Sequence, residues 1–322
     1  MLLFDRSYSM NNILKNIQVH QTIILSSILL IWVLFFQLDI SYIEIALTFS
    51  TVIGLDFLLT RYNSGKYVFP YSGVNAWFGI SFFLRSDDAI VYIFAGFLAI
   101  FGKHYITSAG KHFLNPSNMA VFATLMLFPW LTWVNALQWG NYTGQLWPSY
   151  IVLLAGVFLL GCFMCLRVYQ SFKMSYIYDY VLPFLLLHVL AFFTIPRAEN
   201  LTTAAVFFSI SFFIFMFFMM TDPKTVPKTS LVRSGYAAAL VGNFYVLQFL
   251  VNENYALLGS LFFNTLLLPC IWKLEATKSR ASLAKYLILW LIILLLLLCI
   301  LLHIYGRPDL WFNNICNQQT CL

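Results

Sequence analysis

Charge is scarce in this chain. Asp, Glu, Lys and Arg make up 9% of its 322 residues, where a soluble domain carries about 25%. That is too little to coat a water-soluble surface, which argues against a large soluble domain. Cysteine is sparse too, with six residues in all. Cys162, Cys165, Cys270 and Cys299 fall inside apolar segments, where thiols serve as small packing groups. Cys162 and Cys165 form a C-x-x-C, but within a helical apolar run and without a βαβ setting. Cys316 and Cys321 sit in a polar tail and are placed for a short-loop disulfide if that tail is external. Gly65, Gly73 and Gly79 do not form a dinucleotide fingerprint. No nucleophile–His–acid arrangement, phosphate-binding glycine loop or spaced metal cluster is visible, so soluble-enzyme classes have no support. A cleavable signal peptide is not evident: Met1 to His20 is polar and mixed, and the apolar run from Thr22 has no small-residue cleavage site.

Apolar residues dominate instead. They make up 61% of the chain, with 33 Phe, 18 Tyr and 9 Trp, and the mean hydropathy is +0.82. This suits lipid-facing helices and interfacial aromatic belts. A bilayer is spanned by about 20 apolar residues in a helix. Eleven spans are predicted: Thr22–Asp39, Ile43–Leu59, Gly73–Leu84, Ala89–Phe101, Asn115–Trp133, Ser149–Leu166, Tyr180–Ile195, Leu201–Met220, Gly235–Val251, Ala256–Trp272 and Tyr286–Ile304. The basic residues alternate between the gaps. Arg6 and Lys15 precede the first span. Arg61 and Lys66, Lys103 and Lys111, and Arg167 and Lys173 occupy the second, fourth and sixth gaps. Lys224, Lys228 and Arg233 occupy the eighth, and Lys273, Lys278, Arg280 and Lys285 the tenth. Only Arg85, Arg197 and Arg307 of the 18 fall elsewhere, and Trp139–Pro148 carries no charge. Cytoplasmic loops retain Lys and Arg, so the expected N-terminus is cytoplasmic and the C-terminus external, in an inner (cell) membrane. The net charge of +6 is spread over these loops. It therefore reads as topology and implies no nucleic-acid partner. The glycosylation sequons at Asn141 and Asn200 fall on the external side and read as chance.

The expected fold class is all-α, a polytopic membrane protein. Spans one to five begin inside and end outside, while six to ten run the other way, so two inverted five-helix repeats are expected. Their predicted extents are residues 22–133 and 149–272, flanked by a cytoplasmic N-terminus (1–21). An extra C-terminal transmembrane helix (286–304) and an external tail (305–322) follow. Asn118–Pro129 (N-M-A-V-F-A-T-L-M-L-F-P) is echoed by Asn254–Pro269 (N-Y-A-L-L-G-S-L-F-F-N-T-L-L-L-P), and Phe82–Asp87 by Phe217–Asp222. Gly73–Leu84 and Ala89–Phe101 are short, and such segments point to binding sites in transporter-like folds.

Two motifs carry the chemistry. Gly102–Asn118 reads G-K-H-Y-I-T-S-A-G-K-H-F-L-N-P-S-N. Asn115-Pro116 is a strong helix start. It is either a plain cap beside a positive belt or an anion site built from free N–H groups with Lys103, Lys111, His104 and His112 nearby. Thr221–Thr229 reads T-D-P-K-T-V-P-K-T. Its two X-Pro steps force turn or extended backbone, which at membrane depth is tolerated only when buried in protein or lining a wet cavity. Candidate ligand-binding residues are Lys103, Lys111, Asn115 and Asn118 from the first motif, and Thr221, Asp222 and Thr225 from the second. Asp56, Asn75, Asn243 and Asn264 are candidates for an ion or solute path, because polar groups inside spans are costly. Asp56 either binds a cation, accepts a proton, or pairs locally with Arg61. The intramembrane amides either line a cavity or bond helix to helix. His188 reads as a hydrogen-bonded interior histidine or a metal ligand. Arg85, Asp87 and Asp88 read as a surface salt bridge.

Together with the downstream F-F-M-M-T-D-P-K-T-V-P-K-T, the first motif resembles the RnfD/NqrB family over about Asp56 to Pro269. These are membrane subunits of the Rnf complex and of the sodium-pumping NADH:quinone oxidoreductase, with stand-alone members encoded beside enediyne biosynthesis. The resemblance implies a ten-span inverted repeat like that of urea and ammonium channels. It also implies a flavin and a role in moving electrons, ions or a flavin-like solute. The redox subunits attach FMN to a Thr in an S-G-A-T type motif. Here the nearest text is Tyr142-Thr143-Gly144-Gln145, so covalent FMN is not expected. A non-covalent flavin (FMN or riboflavin) or another small-molecule ligand remains open. The expected partners are the lipid membrane, that ligand, and other membrane or redox subunits. Three functions follow as alternatives: a transporter of a flavin-type solute, a flavin-binding redox subunit, or a non-catalytic membrane scaffold.

Overall fold

Short polar signals start and stop long apolar helices. The computed structural model describes residues 16–35, 41–65, 68–134, 147–194, 209–250 and 253–276. Helix α1 is Ile17–Phe35. Helix α2, Tyr42–Ser64, starts at Ser41, whose hydroxyl accepts from the Ile43 N–H. Helix α3, Tyr71–Phe83, runs into strand β1, Leu84–Ser86. Asp88 caps helix α4, Ala89–Tyr105, by accepting from the Ile90 N–H at 2.9 Å. Strands β2, Thr107–Ser108, and β3, Lys111–His112, pair in a hairpin whose turn residues Ala109 and Gly110 both adopt positive φ, as a tight two-residue loop requires. Helix α5, Pro116–Leu127, leads to strand β4, Thr132–Val134, which pairs antiparallel with β1 in the register Leu84–Val134.

Helix α6 is Trp147–Phe172. A π-helical stretch, Ile177–Val181, opens into helix α7, Leu182–Thr194. Helix α8, Ile210–Ile214, continues as a second π-helical stretch, Phe215–Met219. Helices α9, Ser230–Leu250, and α10, Glu253–Leu266, follow. Helix α11, Leu268–Ala276, is bent by 42° from α10. Among the described residues the fold is all-α apart from the two small strand pairs.

Helix packing follows a regular order. In the first half α1 packs on α3, α2 on α4, and α4 on α5. In the second half α6 packs on α8, α7 on α9, and α9 on α10. Each of these pairs has its counterpart five helices on. The halves meet where α1 touches α6 and α5 touches α10. Helix α3 also packs on α2 and α5. Fully buried aromatic side chains, among them Tyr92, Phe82, Tyr180, Phe215 and Tyr236, fill the interior. Outside, large apolar side chains such as Leu34, Leu58, Ile90, Val152, Leu186 and Phe193 stand exposed, and so much apolar surface calls for lipid or protein to cover it.

Among the described residues two helices, Tyr42–Ser64 and Ile151–Phe172, are long and apolar enough to cross a membrane, or three if the bent pair Tyr255–Leu266 and Leu268–Ala276 counts as one span. Ala89–Tyr105, Pro116–Leu127 and Ile210–Met219 are apolar but shorter. The expected fifth span, Asn115–Trp133, stops as helix at Leu127. Pro129 disfavours helical backbone at Phe128, and the chain turns to pair as β4. Apolar content alone had carried the expectation through to Trp133. The expected surface salt bridge is also corrected. Arg85 is 3% exposed, and its Nη1 donates to the Ser81 and Leu84 carbonyls, while Asp88 serves as the α4 cap. The eleventh span Tyr286–Ile304, the tail with Cys316 and Cys321, Cys299, the sequons at Asn141 and Asn200, and the N-terminal residues 1–15 lie outside the described residues.

Two glycines of α6 give opposite expectations. A Cβ at Gly156 would meet no atom within 4 Å, whereas one at Gly161 would run into the Phe217 ring. Gly156→Ala should therefore raise stability by up to about 1 kcal/mol through helix propensity. Gly161→Ala should lower it by about 1–3 kcal/mol through overpacking. Thermal unfolding of the purified variants in detergent checks both, and equal shifts would contradict this packing.

Candidate functional site

Asn115 joins the two motifs. Its Oδ1 accepts from the Asn118 N–H at 3.1 Å, capping α5, and from the Ser117 hydroxyl at 2.9 Å. Its Nδ2 donates to the Met219 carbonyl at 3.1 Å, at the end of the second π-helical stretch. Capping thus ties the α5 start to the chain entering Thr221–Thr229. That second loop is held in turn from beyond. Glu275 accepts from the Lys228 N–H at 3.1 Å, the Thr229 N–H at 2.8 Å and the Thr229 hydroxyl at 2.9 Å. Arg233 donates to the Pro227 and Lys228 carbonyls and, at 2.7 Å, to Asp179.

Between the two loops lies a cavity of about 410 Å³. One wall carries Lys103, His112 and Lys224, with Asp222 between them and Pro116 and Ser117 at the start of α5. The amides Gln18, Gln21 and Asn75 line the cavity as well. Asn75 accepts from the Thr22 hydroxyl at 2.8 Å and donates to Gln21 Oε1 at 3.2 Å and to the Gln18 carbonyl at 3.3 Å. Phe172 and Phe218 add apolar lining. Such a volume, with a few convergent polar groups, suits a small organic ligand. The cationic wall and the helix start suit an anionic group.

Behind the cavity sits a buried ion cluster. Asp56 is fully buried. The Lys103 ammonium contacts both carboxylate oxygens, 2.7 Å from Oδ1, and His104 Nε2 lies 2.8 Å from Oδ1. The local alternative, a pair with Arg61, gives way to these partners from α4. Gly73 makes the room: a Cβ there would lie 2.5 Å from Asp56 Oδ2.

Not every expected site residue reaches the cavity. Lys103, Asn115, Asp222 and Asn75 line it, and Asp56 holds one of its walls through Lys103. Lys111 is exposed on the β2–β3 hairpin. Asn118 is buried and donates to the Leu258 carbonyl at 3.0 Å, stitching α5 to α10. Thr221 donates to the Phe217 carbonyl, and the Thr225 N–H to the Asp222 carbonyl at 3.0 Å, so both threonines shape the loop. Asn264 donates to the Ser260 carbonyl within α10, and Asn243 is buried in α9. His188 is packed edge-on by Phe184 and Phe244, and its carbonyl accepts from the Tyr245 hydroxyl. No group of three His, Cys, Asp or Glu among the described residues is arranged to hold a metal. His112, expected beside the anion site, lines the cavity, whereas Lys224, Gln18 and Gln21 were not among the expected site residues. Lys224 lies within the second motif, while the glutamines stand in a stretch that reads as a cytoplasmic lead-in.

Asp222 carries opposing influences. Burial pushes its carboxyl up, but the His112 imidazole 3.7 Å away and the Lys224 N–H and ammonium outweigh this, so it titrates below the ordinary carboxylate range. A carboxylate depressed on folding contributes stability that is complete above its unfolded value near 3.9 and lost as pH falls through the folded value. The unfolding temperature of Asp222→Asn should therefore lie below that of the unaltered protein at about pH 5. That gap should narrow below about pH 4. A gap that does not change with pH in melting curves would remove the ionic role of Asp222.

No protein-family model matches this chain, and no curated protein matches it.

Proposed function

We propose that the chain is an integral membrane transport protein of the RnfD/NqrB type. On this reading it moves a small flavin-like solute through a cavity between two inverted five-helix halves, with its N-terminus in the cytoplasm and its C-terminus outside. The observation that carries the reading is the cavity itself. The short apolar helix α5 starts beside it, the π-helical stretch Phe215–Met219 that continues α8 ends beside it, and non-helical loops line it. Irregular backbone flanked by broken helices is how transporter sites are built in lipid. The helix pairing that recurs five helices on supports the two-half architecture. Exposed apolar side chains around the bundle support burial in lipid.

The lining fits a non-covalent flavin. Lys224, His112 and the α5 start would meet a phosphate, and the Gln18 amide and the Phe172 and Phe218 rings would meet a flavin ring. With no S-G-A-T type motif, covalent FMN has no attachment point. An absorbance spectrum of the detergent-purified protein, followed by uptake of riboflavin and FMN into liposomes, tests the proposal. Saturable uptake with flavin colour that washes out on denaturation is expected. Colour that survives acid precipitation would instead indicate a redox subunit with attached flavin. An absence of both colour and uptake would leave the scaffold reading.

A further inference from the structure

Asp56 lies one side chain away from the cavity. Lys103 faces both: its ammonium touches the Asp56 carboxylate, and the residue lines the cavity with 13% of its side chain exposed. We infer that Asp56 is a proton site coupled to anion entry: an anion that draws the Lys103 ammonium into the cavity leaves the carboxylate to take up a proton. This rests on reading the cavity as the solute site.

Charge balance in a buried place drives the coupling. Before the ligand arrives, Asp56 and Lys103 cancel. With a monovalent anion on Lys103, the cluster stays neutral only if Asp56 gains a proton, and a buried carboxylate without a counter-charge takes one rather than remain ionised. His104 supplies the route. Its Nδ1 lies 3.4 Å from the amide nitrogen of Asn63, which donates to it, so Nε2 carries the ring proton and donates to Asp56 Oδ1. A proton taken from water at Nδ1 is matched by the Nε2 proton passing to Oδ1, and no other bond breaks. His104 is 12% exposed, enough to meet water.

The donor set selects a proton over a metal cation. A hard cation such as sodium needs several oxygen ligands. Around Asp56 stand an ammonium, an imidazole and the Thr60 hydroxyl at 3.5 Å, while Gly73 closes over Oδ2. Helix α4 contributes Lys103 and His104, α3 contributes Gly73, and α2 itself contributes Thr60 and, one turn on, Arg61. Lys224, Asp222 and His112 line the cavity together with Lys103.

Calorimetric titration of the purified protein with FMN, in two buffers of different ionisation enthalpy, counts the protons taken up. Asp56→Asn keeps acceptor and donor atoms for Lys103 and His104. The unaltered protein should take up a single proton more per FMN bound than this variant, and neutral riboflavin should bind with no such difference. FMN binding with equal proton counts in both proteins would overturn the coupling while leaving the solute reading intact. A titration in which FMN, riboflavin and inorganic phosphate all give no heat would overturn both. Should Asp56→Asn fail to fold, Lys103→Met serves. Without the ammonium there is no counter-charge for an anion to draw away from Asp56, so the extra proton disappears, and full uptake there would equally overturn the inference.

Discussion

Lys103→Ala should destabilise the protein by about 3–5 kcal/mol, the cost of leaving one partner of a buried ion pair alone. Asp56 has no exposed surface, and the ammonium contacts both of its oxygens. The carboxylate lies eight residues, or about 12 Å, inside the end of α2, but only one side chain from the cavity, so cavity water and the remaining His104 contact place the expectation toward the lower end of the range. Asp56→Asn should be much milder, since a neutral amide needs no counter-charge, and Asp56→Asn combined with Lys103→Ala should recover most of the loss. Melting curves in detergent for the two single variants and the double variant measure this. Additive losses would mean that the two side chains stand near each other without stabilising each other. The single Lys103→Ala variant should also recover as pH is lowered, because a protonated Asp56 leaves no unpaired charge.

Local signals were legible in the sequence and distant partnerships were not. Asn115-Pro116 reads as a helix start because capping is decided within three residues, and α5 begins there. Its end was misjudged because Phe128, Trp130, Leu131 and Trp133 look like membrane residues, while Pro129 and pairing with β1 decide the backbone. For Asp56 the sequence offers a cation, a proton or a local pair with Arg61, the one basic partner visible on its own helix. Its partners come from α4, 47 and 48 residues on, and helix packing alone brings them together. Lys103 and Lys111 look alike in a repeated G-K-H. The hairpin between them turns one toward the cavity and the other outward. Asn118 and Asn264 illustrate the other open alternative. An amide in an apolar helix must bond something, and these two donate to backbone carbonyls within the bundle.

The second large effect is expected at Asn115. One side chain makes three hydrogen bonds there: the cap to Asn118, the acceptor for Ser117, and the bridge to the Met219 carbonyl. Losing a cap costs about 1 kcal/mol. Stranding the buried Ser117 hydroxyl and the Met219 carbonyl adds about 1–3 kcal/mol, so Asn115→Ala should cost roughly 2–4 kcal/mol in all. Asn115→Ser divides the loss. Serine restores the cap, but its short hydroxyl cannot also reach Met219, so stability should return by about 1 kcal/mol while FMN affinity stays low. The bridge is what registers the Thr221–Thr229 loop against the start of α5, and the cavity wall of Asp222 and Lys224 depends on that register. Melting temperature and FMN affinity measured on both variants separate the two roles. Full affinity in Asn115→Ser would mean that the loop keeps its place through Glu275 and Arg233 alone, and that the contact between the motifs serves the fold without serving the site.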